Sequence, residues 1–390
     1  MKRVLGASVP LGAALLAFVL GSLMILALGE NPIAGGSAII EGAFGSGDRL
    51  AVTAVRATPL LLVGIGITIA FRASVINIGG EGQIIAGALL STIVALAIPD
   101  TPKIILLPLV MVAGMVGGGI WGAIPGALKA YAAVNEILST VMLNIVAVQL
   151  MNYLLRGPMI DPIEVDGSRI PQTERLTDNA AMPTLVDGTR LHLGVVIAVL
   201  AAVVVYIILW RTPMGFRLRA VGHNPDAARA AGISVERNIT MAMAMSGALS
   251  GLAGVMLVFG SESLRLVTDG SAAGFTGSAG FNGIVAALFG GLHPLWTIPS
   301  SFLFGALLTG ATQLQRALQI PAALAVALNG LVVLFVVSSD RVGGWLEGRL
   351  NQGAYDSETA ELRESAADDL EPEADLVSAD DTAAPQDTVS

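Results

Sequence analysis

Long uncharged apolar runs recur along this chain, and no other feature restricts its fold so sharply. Val4–Leu28, Gly82–Pro99, Ile104–Leu128, Ile137–Leu155, Leu193–Trp210 and Ile239–Ser261 carry no charged residue. Leu50–Phe71 carries one, Arg56. Gly270–Gln315 is uncharged and long enough for two helices, with His293-Pro294 where a turn would divide it; Ala317–Ser339 is the last run. A helix needs about 20 apolar residues to cross the hydrocarbon core. Lipid offers no partner to an open strand edge, so each run is read as a helix. The runs do not alternate as the strands of a membrane barrel would. The expectation is an all-α polytopic integral membrane protein of about ten transmembrane helices. Lys2 and Arg3 precede the first run, as they would in a signal peptide, but the run is longer than such a core and is read as the first transmembrane helix.

Charged residues make up 13% of the chain, about half the share of a soluble domain. The absence of cysteine excludes disulfides, thiolate metal sites and a cysteine nucleophile; with three histidines no metal centre is expected. The net charge of −9 is concentrated at one end: residues 351–390 hold twelve acidic residues and one basic one, Arg363. Two regions follow, a transmembrane domain at 1–350 and an acidic disordered cytoplasmic tail at 351–390. Within the domain, Lys and Arg crowd the span ends that lie inside when both termini are cytoplasmic. Phosphate binding needs clustered cations, and no nucleic-acid partner is expected.

Several constellations stand out. In Ser74–Gln83, glycines 79, 80 and 82 flank Glu81 at the start of an apolar span. The segment reads either as a loosely wound helix start lining a cavity or packed on another helix, or as a carboxylate capping a helix at headgroup level. Gly114, Gly118, Gly122 and Gly126 fall every fourth residue, a small-residue face for close helix packing. A G-x-G-x-x-G match at Gly117, Gly119 and Gly122 lacks the strand and soluble βαβ unit of a dinucleotide site and is discarded. Walker A and hydrolase motifs are absent, so no enzymatic activity is assigned. Asn144, Gln149, Asn152, Asn282 and Asn329 are amides within spans; interhelical hydrogen bonding is their usual use, lining a polar path the rarer one. The third and eighth spans open similarly on Asn-Ile-Gly and Phe-Asn-Gly, and the fifth and tenth share Leu-Asn, which fits two inverted halves of five helices. In Arg211–Asn238, Asn224 can cap, Pro225 can open and Gly232 can close a short helix of small residues. Such a helix suits docking to a partner; the plainer alternative is a basic loop at the headgroups.

Four stretches carry a family resemblance: FRA followed by NIGGEGQ at 71–83, VNEILST followed by MLN at 134–144, RTPMGFRLRAVGHNPDAARAAGI at 211–233, and GFNGI with AALFGGLHPL at 280–295. The chain resembles the permease subunits of bacterial ABC importers for ribose-type sugars and nucleosides. It is most similar to nucleoside permeases that work with basic-membrane-protein-type lipoproteins. The resemblance covers about residues 4–340, with Gly80 a small departure and the acidic tail without counterpart. It implies a cell-membrane protein that pairs with a second permease subunit, receives substrate from an extracytoplasmic lipoprotein, and is driven by a cytoplasmic ABC ATPase that uses the ATP. The chain itself would bind no cofactor. The resemblance makes Asn224–Gly232 the coupling helix, with Asn224, Pro225, Asp226, Ala228, Arg229 and Gly232 at the ATPase contact. Asn77, Glu81, Asn144, Asn282 and Asn329 are the expected residues of the translocation path. The alternatives are a simple-sugar permease of the same architecture, an ion-coupled secondary transporter using Glu81 or Glu136, or a membrane scaffold.

Overall fold

The computed structural model describes residues 19–27, 29–165 and 170–319, with Ala327, Gly330 and Leu331. The chain enters through two helices, α1 (Val19–Ala27) and α2 (Pro32–Phe44), bent by 117° at their junction. Next come α3 (Gly47–Arg72), α4 (Gly80–Ala97), α5 (Lys103–Ala132) and α6 (Glu136–Arg156). A long connection containing the single turn α7 (Pro162–Val165) leads to α8 (Gly194–Arg211). Two short helices, α9 (Pro213–His223) and α10 (Pro225–Ala230), precede α11 (Val235–Phe259). The described chain closes with α12 (Ala272–Thr276), α13 (Ala279–Phe289) and α14 (Thr297–Leu318). Among the described residues there is no strand beyond the isolated bridges Gln172–Val267 and Thr184–His192.

Six helices, α3, α4, α5, α6, α8 and α11, are long and apolar enough to cross a membrane, and α1 with α2 makes a seventh if the bent pair counts as one span. The expectation of ten is therefore met only as a polytopic helical protein. The run Gly270–Gln315 does divide at Gly290–Trp296, where His293-Pro294 stands, but its first half yields α13 of only 11 residues, about half a bilayer crossing at 1.5 Å per residue. Most of the first and tenth spans and the tail 351–390 lie outside the described residues.

Burial separates the helices into two layers. α3, α4 and α11 are mostly buried, whereas α5, α6 and α8 keep most of their surface outward. The outward residues include Ile104, Ile120, Ile145 and Leu200, an apolar exterior that suits lipid. The small-residue face of α5 packs on α11. A Cβ at Gly118 would fall 2.6 Å from Gly251 Cα, and one at Gly122 would fall 3.0 Å from Gly247 Cα. Close backbone approach replaces side-chain interdigitation there. Pro59 in α3 and Pro108 and Pro125 in α5 sit inside helices, tolerated where neighbours resatisfy the backbone. Opposite the α9–α10 end, segment 171–182 lies along 259–268. Thr173 N–H donates to Leu266 O at 3.0 Å, Thr268 N–H to Pro171 O at 3.0 Å and Met182 N–H to Phe259 O at 2.8 Å. Asp161 and Arg265 form an ion pair beneath this flap.

Candidate functional site

Two helices begin inside the molecule. After α3 the chain runs without helix from Ala73 to Gly79, and α4 starts beside the middle of its neighbours. Asn77 Nδ2 donates to Ser246 Oγ at 2.8 Å, near the centre of the 25-residue α11. The same amide donates to Gln83 Oε1 at 3.0 Å, and Asn77 Oδ1 accepts from Gly79 N–H at 2.9 Å. Asn144, in the first half of α6, accepts from Gly82 N–H at 2.8 Å and donates to Ile78 O at 3.0 Å. The unwound segment thus has its backbone groups met by side chains, as a helix start away from water requires.

The start of α13 abuts this point. A Cβ on Gly280 would lie 2.5 Å from Glu81 N, so only glycine there lets the two starts meet this closely. Glu81, buried to 2% exposure, joins them: its carboxylate accepts from Phe281 N–H at 3.2 Å and from the Thr276 hydroxyl. The carboxyl thus supplies an acceptor to an N–H group of the first turn of α13 that has no partner within its own helix. From this junction α4 runs towards the flap and α13 towards Arg72, whose Nη2 donates to Leu292 O at 2.9 Å just beyond α13.

The opposite end carries the short surface helices. Asn224 Oδ1 accepts from Asp226 and Ala227 N–H, both at 3.0 Å, and Pro225 opens α10, as the sequence predicts. Gly232, with φ of +79°, ends the turn, a conformation glycine adopts without Cβ strain. Asp226 and Ala227 are exposed. Ala228 instead points inward and packs with Val221 of α9 and Val235 of α11. Arg229 bonds Asp226 at 3.1 Å and Glu236 at 2.9 Å, bracing α10 on α11. Both acids hold the Arg229 guanidinium above its ordinary pKa.

The surface helices reach the junction through α9. Ser74 Oγ donates to Gly222 O at 2.6 Å. Arg219 of α9 and Arg72 of α3 lie 5.9 Å and 5.3 Å from the Trp210 ring centroid, within cation–π range. Trp210 also packs on His293 at 5.1 Å, in the α13–α14 turn. Burial and the Arg72 charge hold that imidazole below its usual pKa. One cluster therefore touches α3, α8, α9 and the turn after α13.

Of the residues expected on the path, Asn77, Glu81 and Asn144 come together in this buried network. Asn282 is half-buried one position beyond Phe281, and Asn329 lies outside the described residues. Glu136 pairs with Lys129 across the α5–α6 turn. Sequence reasoning did not find Gln83, Ser246, Thr276 or the Trp210 cluster; hydroxyl and amide residues carry no spacing signal, and Arg72 and Arg219 are far apart in sequence.

The match to known families agrees with this architecture. Residues 49–337 match the family described as branched-chain amino acid transport system / permease component. The chain is 36% identical over 339 residues to the guanosine ABC transporter permease protein NupP of Bacillus subtilis, covering 87% of this chain and 95% of that one. It is 34% identical over 333 residues to the nucleoside ABC transporter permease protein NupB of Lactococcus lactis, covering 84% and 90%. It is 32% identical over 369 residues to the glucose ABC transporter permease protein TsgB13 of Haloferax volcanii, covering 91% and 94%. No solved structure matches the chain. A helical membrane fold with a capped surface helix, matched over most of its length, makes the chain a member of the branched-chain amino acid transport system / permease component family.

Proposed function

We propose that this chain is a membrane-spanning subunit of an ATP-driven importer that moves nucleosides across the bacterial cell membrane. The observation that carries the substrate class is the identity of 36% to a guanosine permease across nearly the full length of both chains. The end bearing Arg72, Lys129, Arg211, Arg217, Arg219 and Arg237 is the cytoplasmic one, as the positive-inside preference favours, with both termini on that side. The exposed face of α10, with Asp226 and Ala227, docks on a cytoplasmic ABC ATPase; Asn224, Pro225, Arg229 and Gly232 shape that face and Ala228 anchors it. A second permease subunit and an extracytoplasmic binding lipoprotein complete the assembly, and the chain holds no cofactor of its own.

The mechanism follows from the linkage. ATPase closure moves α10 and α9, and α9 bears on the end of α3 through Gly222 and on the α13–α14 turn through Trp210 and His293. Those two points flank the junction held by Asn77, Glu81 and Asn144, so the two helix starts move as a pair and open or close the path beside Asn282. The opposed directions of α4 and α13 support the inverted-repeat reading of the two halves. ATP binding drives this only through a difference in docking affinity between the two states.

The test is uptake by the reconstituted complex. ATP-dependent uptake of purine nucleosides, lost without the ATPase, is the expected result. The identity of 32% to a glucose permease supports a second reading, a sugar substrate; uptake of glucose or ribose without nucleoside would favour it. Uptake that survives loss of the ATPase but collapses with an uncoupler would overturn both.

A further inference from the structure

At the end opposite α9–α10 lies a cavity of about 540 Å³, within the size range of small-molecule sites. Val55 of α3 and Met256 and Phe259 of α11 give it an apolar wall, and the segment 175–192 forms its rim. Most of its polar groups are already paired. Arg175 bonds Asp178 at 3.3 Å and Arg190 bonds Glu262 at 2.8 Å. The Thr189 and Ser261 hydroxyls donate to the Val186 and Val258 carbonyls, each within its own turn.

Two donors remain. Arg56 gives both Nη1 protons to α14, to Leu308 O at 2.8 Å and Thr312 Oγ1 at 2.9 Å. This fixes the guanidinium plane and leaves the Nε–Nη2 edge, with no carboxylate in ion-pair range among the described residues. His192 accepts from Gly194 N–H on Nδ1 at 3.1 Å. Burial disfavours the imidazolium, so the neutral ring carries its proton on Nε2. The cavity thus offers fixed donors against an apolar wall and no free acceptor charge.

We propose that this cavity is a substrate subsite for 6-oxopurine nucleosides, in which the Nε–Nη2 edge of Arg56 takes the carbonyl oxygen and the adjacent ring nitrogen of the base. The inference rests on the nucleoside reading above. An Arg fork matches that pair of acceptors in bidentate geometry. A 6-aminopurine would set an amino donor against the guanidinium and leave that contact unmet.

The experiment is a comparison of guanosine and adenosine uptake, at concentrations below saturation, by the full complex of both permeases, ATPase and lipoprotein. Only this chain is varied, so a change in the guanosine-to-adenosine ratio arises in it. Wild type should favour guanosine. In Arg56→Met the ratio of guanosine to adenosine uptake should fall about tenfold or more. Arg56→Lys keeps the charge but not the fork and should also lose the ratio; it carries the test if Arg56→Met does not assemble. Nucleoside uptake with an unchanged ratio in the variants, or without guanosine preference in wild type, overturns the subsite alone. A wild-type complex that imports no nucleoside overturns the functional reading and the subsite with it.

Discussion

Glu81 is the residue on which the starts of α4 and α13 meet. Its carboxylate satisfies Phe281 N–H and the Thr276 hydroxyl, and a buried donor left without a partner costs about 1–3 kcal/mol. Glu81→Ala strands Phe281 N–H and leaves the Thr276 hydroxyl only the Ala272 carbonyl of its own turn, so the complex should lose most uptake and melt earlier in detergent. Glu81→Gln keeps the shape and one acceptor oxygen and should retain more of each. An alanine variant as stable and active as wild type would show that the carboxylate does not hold α13. The glycines around Glu81 pointed to a loosely wound helix start, and the structure packs that start on another one. Its partners were not legible, because Thr276 lies nearly 200 residues away and resembles any other threonine in an apolar run. The flap has its own carboxylate. Hydrogen bonds from Arg265 and Ile163 N–H hold Asp161 below its ordinary pKa. Its contribution is complete above the unfolded value near 4 and fades as pH falls through the lower folded value.

At the level of elements, caps and glycine contacts decide where the helices sit. Asn224 closes two N–H groups at the start of α10, a cap worth about 1 kcal/mol. Asn224→Ala should loosen α10 and reduce co-purification of the ATPase, while Asn224→Ser or Asn224→Asp should restore it; equal recovery of ATPase with all three would separate α10 from docking. The α5–α11 seam gives a sharper contrast. A Cβ at Gly118 meets Gly251 Cα at 2.6 Å, whereas at Gly119 the nearest atom, Ala244 O, is 3.4 Å away. Gly118→Ala should therefore lower the melting temperature clearly and Gly119→Ala hardly at all. The four-residue spacing announced this face, and the cap at Asn224 followed from residue type alone. The shortness of α13 did not. Apolar content sets where a helix can lie, not where it starts, and successive left-handed residues Gly277 and Ser278, both with φ of 60°, cut the run.

For the whole molecule, charge sorts the two ends. The end around α9 and α10 carries mostly Arg and Lys, while the flap end carries Glu164, Glu174, Asp178, Asp187, Glu262 and Asp269. Cytoplasmic loops carry the cationic excess in membrane proteins, although acids contribute little to that rule. Orientation thus rests on the arginines, and the long flap dilutes their signal because extended segments translocate largely regardless of charge. The sequence helps the test, since the chain has no cysteine and a single introduced thiol reports alone. Asp226 in α10 and Asp187 in the flap are both exposed, so Asp226→Cys and Asp187→Cys should fold unchanged. In intact cells a membrane-impermeant maleimide should label Asp187→Cys and not Asp226→Cys. In inside-out vesicles the pattern should reverse. Labelling of Asp226→Cys from outside would put α10 beyond the reach of any cytoplasmic ATPase. The drive through α9 to the Glu81 junction would then have no source.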